Sequence, residues 1–80
     1  MDRFESLTAF VAVAEQRGFA AAARALGMSP PAVTRAVAGL ERHLGVTLLH
    51  RSTRAVSLSD EGASFLARAR QILADLREAE

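Results

Sequence analysis

A chain of 80 residues makes one domain at most, and one this small hides only about 60% of the surface that its unfolded form exposes. That size leaves no room for a lined ligand pocket of ordinary volume, and the absence of cysteine removes disulfides, thiolate metal sites and thiol catalysis together. The net charge of +1 hides a partition: residues 1–15 sum to −2, residues 16–59 to +5 with Glu41 as their one acid, and residues 60–80 to −2, so the middle of the chain is the expected polyanion face.

Asp2 can cap a first helix running to about Gln16, whose apolar positions Phe4, Leu7, Val11 and Ala14 recur at helical spacing with Phe10 beside them. Gly18 is the expected stop. A short alanine-rich helix follows from Phe19 to Leu26, closed by Gly27, with Phe19 and Leu26 supplying its core contacts. Ser29 is the expected N-cap of a third helix, and Pro30 fits its first position, where a missing N–H costs nothing. That helix runs to about Leu44, buries Val33, Val37, Leu40 and Leu44, and ends at Gly45.

Residues 46–49 and 55–58 read as two short strands, joined by the polar tip His50-Arg51-Ser52-Thr53-Arg54. The tip lacks the Asn-Gly or Asp-Gly pair that marks the tightest hairpins. Ser59 caps a fourth helix, and Asp60 and Glu61 sit favourably at the positive end of its dipole. Gly62, Leu66, Ala69, Leu73 and Leu76 alternate by three and four, with Phe65 and Ile72 flanking, which reads as a coiled-coil-like seam.

The second helix, the tight turn through Gly27-Met28-Ser29 and the third helix form a helix-turn-helix pattern. In such a pair the second helix enters the major groove with its leading turns against base edges. Off the buried stripe lie Pro30, Pro31, Thr34, Arg35 and Ala38. Thr34 can hydrogen-bond a base or phosphate, Arg35 can fork onto guanine or clamp a phosphate, and the prolines offer apolar surface to thymine methyl groups. Ser29 stands where the helix N-terminus can itself hold a phosphate. Arg51 and Arg54 at the hairpin tip can follow the backbone or enter a narrow minor groove, and Ser52 and Thr53 can bond phosphates.

All ten basic residues are arginine, which favours forked contacts with phosphates and guanine edges. Arg42, Arg68 and Arg70 read as solvated helix-face residues, and Ser57 and Ser59 as turn and cap residues. His43 and His50 have no Cys, His or carboxylate at ligand spacing, so no metal or cofactor is expected. No stretch approaches the roughly 18 apolar residues of a membrane span, and Met1 to Glu5 lack the layout of a signal peptide. A cytoplasmic protein is expected. A protein-interaction module using its fourth helix is the alternative. An enzyme is the more distant one, since no nucleophile–base pair, acid pair or phosphate loop stands out.

At this point the sequence resembles the N-terminal domain of LysR-type transcriptional regulators. The resemblance runs through Leu7-Thr8-Ala9-Phe10-Val11-Ala12-Val13-Ala14-Glu15, Gly18-Phe19, Ala22-Ala23, Leu26-Gly27 and Met28-Ser29-Pro30-Pro31-Ala32-Val33-Thr34-Arg35. It continues through Leu40-Glu41, Leu44-Gly45-Val46, Leu48-Leu49-His50-Arg51-Ser52-Thr53-Arg54 and Leu58-Ser59-Asp60-Glu61-Gly62. It implies a mostly α winged helix-turn-helix over residues 1–59 and a linker helix over 60–80. That helix would pair two copies, here through Phe65, Leu66, Ala69, Ile72, Leu73 and Leu76. It also implies an effector-binding domain beyond this chain, and promoter binding that activates or represses transcription. Pro31, Arg35, Arg51 and Arg54 match the family's recognition and wing residues, and Thr34 keeps the hydroxyl of a usual serine. Pro30 replaces a frequent base-reading glutamine. Ala20 replaces the usual Thr or Ser, a cap whose loss would weaken the second helix by roughly 1 kcal/mol.

Overall fold

A computed structural model describes residues 2–52 and 55–80, and has four helices and one antiparallel hairpin in the order α1-α2-α3-β1-β2-α4. Helix α1 (Arg3–Gln16) starts at Asp2, whose carboxylate accepts from the Glu5 amide at 2.8 Å. Its buried residues Ser6, Leu7, Ala9, Phe10, Val11 and Val13 cover several sides of the helix. A helix apolar on several sides belongs in the middle, and α2, α3, α4 and β2 all pack on α1.

The stop of α1 differs from expectation. Arg17, not Gly18, takes the left-handed cap conformation, with φ 60°. A side chain there costs roughly 1–2 kcal/mol. Gly18 is extended and serves as the N-cap of α2 (Phe19–Leu26) without a side-chain hydrogen bond. Ala20 therefore lies inside α2, so its missing hydroxyl is not a lost N-cap. Ala22 and Ala23 are the buried residues of α2, and their small size lets α1 and α3 approach. Gly27 closes the helix with φ 67°, and the Met28 amide reaches back to the Ala23 carbonyl at 3.0 Å.

Helix α3 (Pro30–Leu44) begins as its sequence dictates. Ser29 Oγ accepts from the Ala32 amide at 3.2 Å, and prolines fill the first two helical positions. Val33, Ala36, Val37 and Leu40 are buried. Leu44 departs from the expected stripe: it is 38% exposed, at the rim of a groove it shares with Val46 and Phe65.

The hairpin is shorter than expected. Strand β1 (Leu49–Arg51) pairs with β2 (Val56–Leu58) in the register Leu49↔Leu58, His50↔Ser57, Arg51↔Val56. His50 and Arg51 are thus strand residues, not tip residues, because Glu41 draws the chain at Leu48 and Leu49 onto α3 (below) and pairing begins only there. Ser52 and Ala55 close the hairpin, with the Ser52 amide on the Ala55 carbonyl at 2.9 Å. Thr53 and Arg54 lie outside the described residues.

Helix α4 (Asp60–Ala79) is capped by Ser59, whose Oγ accepts from the Gly62 amide at 2.8 Å and donates to the Thr47 carbonyl. The helix packs along α1. The Phe10 and Phe65 rings meet at 5.8 Å between centroids, and Arg70 Nε lies 3.1 Å from Glu15 Oε2. Arg70 is therefore solvated, as expected, and also an inter-helix partner in an exposed ion pair. The expected seam is also split. Leu66, Ala69 and Leu73 belong to this chain's own core, whereas Ile72 is 42% exposed. Phe65, Ile72 and Leu76 recur at helical spacing on a neighbouring side of α4, so a seam using all six residues for a second copy would require opening the core.

Candidate nucleic-acid interface

The buried residues of α3 fix which of its residues point outward. Opposite Val33, Ala36, Val37 and Leu40 lie Pro31, Arg35, Ala38 and Arg42, a row with helical spacing. Pro31, Arg35 and Arg42 are exposed, and Ala38 is half-buried. Ser29 and Pro30 are exposed at the head of the helix, and Thr34 is half-buried beside the row. The Ser29 hydroxyl is committed to its cap. The leading turns thus present Pro30, Pro31, Thr34 and Arg35 together, as the sequence pattern predicts.

The base of the hairpin is tied to this helix by one carboxylate. Glu41 Oε2 accepts from the Leu48 amide at 2.8 Å and from the Leu49 amide at 3.2 Å. Its Oε1 lies 3.7 Å from Arg51 Nη2. The Arg51 guanidinium in turn sits over the Phe19 ring, 4.5 Å from its centroid, a contact worth about 0.5–1 kcal/mol at an exposed site. Arg51 is therefore gathered at the junction of α2, α3 and β1, with 39% of its side chain exposed, rather than extended from the tip. Ser52 Oγ is likewise engaged, donating to the Ala55 carbonyl and accepting from the Ala55 amide, each at 3.1 Å.

The other side of the hairpin base rests on α4. Leu48, fully buried, presents its carbonyl to the Ser59 amide at 2.9 Å and to Ser59 Oγ at 3.2 Å. A Cβ on Gly62 would overlap that same carbonyl, so the first turn of α4 can lie here only with glycine. The roles of Glu41 and Phe19 were not read from the sequence. A signal for Glu41 existed: a lone acid in a segment otherwise purely basic needs a reason. Open grooves of ordinary ligand volume, such as one of about 490 Å³ between α1 and α3, also occur, against the expectation from chain length.

Residues 4–63 match the family described as bacterial regulatory helix-turn-helix protein, lysR family. This chain belongs to that family. Among curated relatives, it is 49% identical over 76 residues to the HTH-type transcriptional regulator CrgA of Neisseria meningitidis, covering 95% of this chain and 25% of that protein. The lysR-family domain described here thus spans about a quarter of the length of the curated relatives it matches. Among solved structures, it superimposes on a CbnR DNA-binding domain in complex with DNA at a TM-score of 0.93 and 44% identity, covering 99% of this chain and 90% of that one. A BenM DNA-binding domain bound to catB site 1 DNA gives 0.92 and 34%, covering 99% and 88%. The fold is accordingly the winged helix-turn-helix of lysR-family DNA-binding domains. Among the described residues, no helix is long and apolar enough to cross a membrane.

Proposed function

We propose that this domain binds double-stranded DNA sequence-specifically, as the promoter-reading part of a bacterial transcription regulator working in the cytoplasm. The observation that carries the reading is the outward row on α3: Pro31 and Arg35, with Thr34 beside them, stand together at the head of a capped helix, next to a wing braced to the same helix through Glu41. It is supported by the two DNA-complexed relatives of the same fold. Arg35 is the candidate for a forked base or phosphate contact, and Arg51 for a phosphate contact at the wing root. Ser29, Ser52, Thr53 and Arg54 complete the proposed interface. No catalytic step belongs to this reading: the hydroxyls of Ser29, Ser52 and Ser59 serve caps and a turn.

Two copies would pair through α4 along the exposed Ile72 and the half-buried Leu76, with Phe65, which also packs on Phe10, and the exposed Leu44 and Val46 at one end of the seam. Their recognition helices would then meet successive major grooves about 34 Å apart on an imperfect palindrome. A small-molecule effector would act through a further domain of the longer regulator. Selection of bound duplexes from a random pool tests the reading: a recurrent imperfect palindrome is expected, with affinity falling steeply as salt rises. Recovery of no consensus, or a flat salt dependence, overturns it.

A further inference from the structure

Helix α3 carries a glycine that its packing does not ask for. Gly39 sits mid-helix, where glycine is a poor choice, and a Cβ there would meet only Arg42 Nη2, at 3.8 Å. Its backbone is not left-handed, so conformation does not demand glycine either. What the missing side chain does is deepen the groove between α3 and α1, of about 490 Å³. Arg3 and Ser6 line this groove from α1, and Arg35, Gly39, Arg42 and His43 line it from α3, with no carboxylate in its wall. Among the described residues, the ion pairs are Arg51–Glu41 and Arg70–Glu15, so the three arginines of the groove remain without a carboxylate.

An unexplained glycine beneath three arginines is the arrangement expected where another backbone must come close. We infer that this groove is a second phosphate anchor, in which Arg3 and Arg42 grip the DNA backbone where the recognition helix leaves the major groove, and Gly39 lets the strand approach. The inference rests on the DNA-binding reading above. Arg35 and Arg42 lie on the same outward row, seven residues or roughly 10 Å apart along the axis. One guanidinium is therefore placed for the groove and the other for the strand bordering it. Arg42 is then a contact, not the solvated residue its sequence position implies.

The test measures the affinity of the chain, with Arg42→Ala, Arg3→Ala, Gly39→Ala and the control Arg77→Ala, for a duplex selected by the native sequence, over a range of salt. Arg42→Ala and Arg3→Ala should each weaken binding several-fold on the selected duplex and on scrambled DNA alike. Each should reduce the log–log salt slope by about one per bound copy. Gly39→Ala should raise Tm by roughly 4–8 °C while weakening binding, two changes that a purely structural glycine would not combine. Arg77→Ala should leave the slope as it was. Native-like affinity and slope in Arg42→Ala and Arg3→Ala, with the native chain binding well, overturn the second anchor alone. Failure of the native chain to bind any selected duplex removes the DNA reading and the anchor with it.

Discussion

Gly62 lies where the first turn of α4 crosses the Leu48 carbonyl, and a methyl group there would overlap it. The obstacle is backbone, already bonded to Ser59, so it has little freedom to yield. Gly62→Ala should cost about 3 kcal/mol, read as a lowered urea midpoint. Arg17 is the opposite case, holding φ 60° with a full side chain. Arg17→Gly should stabilise the fold by about 0.5–1 kcal/mol, read as a raised midpoint in the same titration. At this scale the sequence was partly legible. Asp2, Ser29, Ser59, Gly27 and Gly45 declare caps because their chemistry is local. Arg17 and Gly18 mislead because either can follow α1, and the choice depends on how α2 must leave it.

At the scale of elements, the hairpin owes its position to α3 and α4 more than to its own pairing, which spans three residues per strand. Glu41 satisfies two amides that the short ladder leaves over. Glu41→Ala should therefore destabilise the domain by about 2–3 kcal/mol, since two partly buried donors lose a charged acceptor. Hydrogen exchange at Leu48 and Leu49 should quicken more than at the α1 amides. Glu41→Gln, which keeps an acceptor but not the charge, should fall between. The helices were legible from periodicity and caps. The strand limits were not, because strands this short carry little pattern and the carboxylate that anchors them lies seven and eight residues away in sequence. The seam on α4 misled for a similar reason. Apolar spacing marks burial but does not say whether the cover is α1 or a second copy, and here Leu66, Ala69 and Leu73 went to α1.

For the whole molecule, the proposed pairing predicts that Ile72→Glu lowers self-association, seen by sedimentation equilibrium, with little change in the unfolding midpoint, because Ile72 is 42% exposed in the single chain. Its affinity for a two-half-site duplex should drop far more than for a single half-site. A double substitution at Leu66 and Leu73 should instead unfold the domain, since both are buried in its own core. The outward row on α3 was legible because the core positions of that helix leave the opposite face to solvent. The gathering of Arg51 with Phe19 and Glu41 was not, since it joins three elements whose meeting is a property of the fold.

The tie between α4 and the body has a consequence for reach. Phe65 packs against Phe10, Arg70 pairs with Glu15, and Ser59 and Gly62 clasp the chain at Leu48, just ahead of β1, so α4 cannot swing without carrying the reading head along. Two such copies, if joined at α4 as proposed, would behave like the arms of a calliper with a stiff hinge: the gap between the points would be set at the joint, not at the DNA. Adding about half a helical turn, roughly five base pairs, between the half-sites should turn the second arm away from its groove and leave only one point touching.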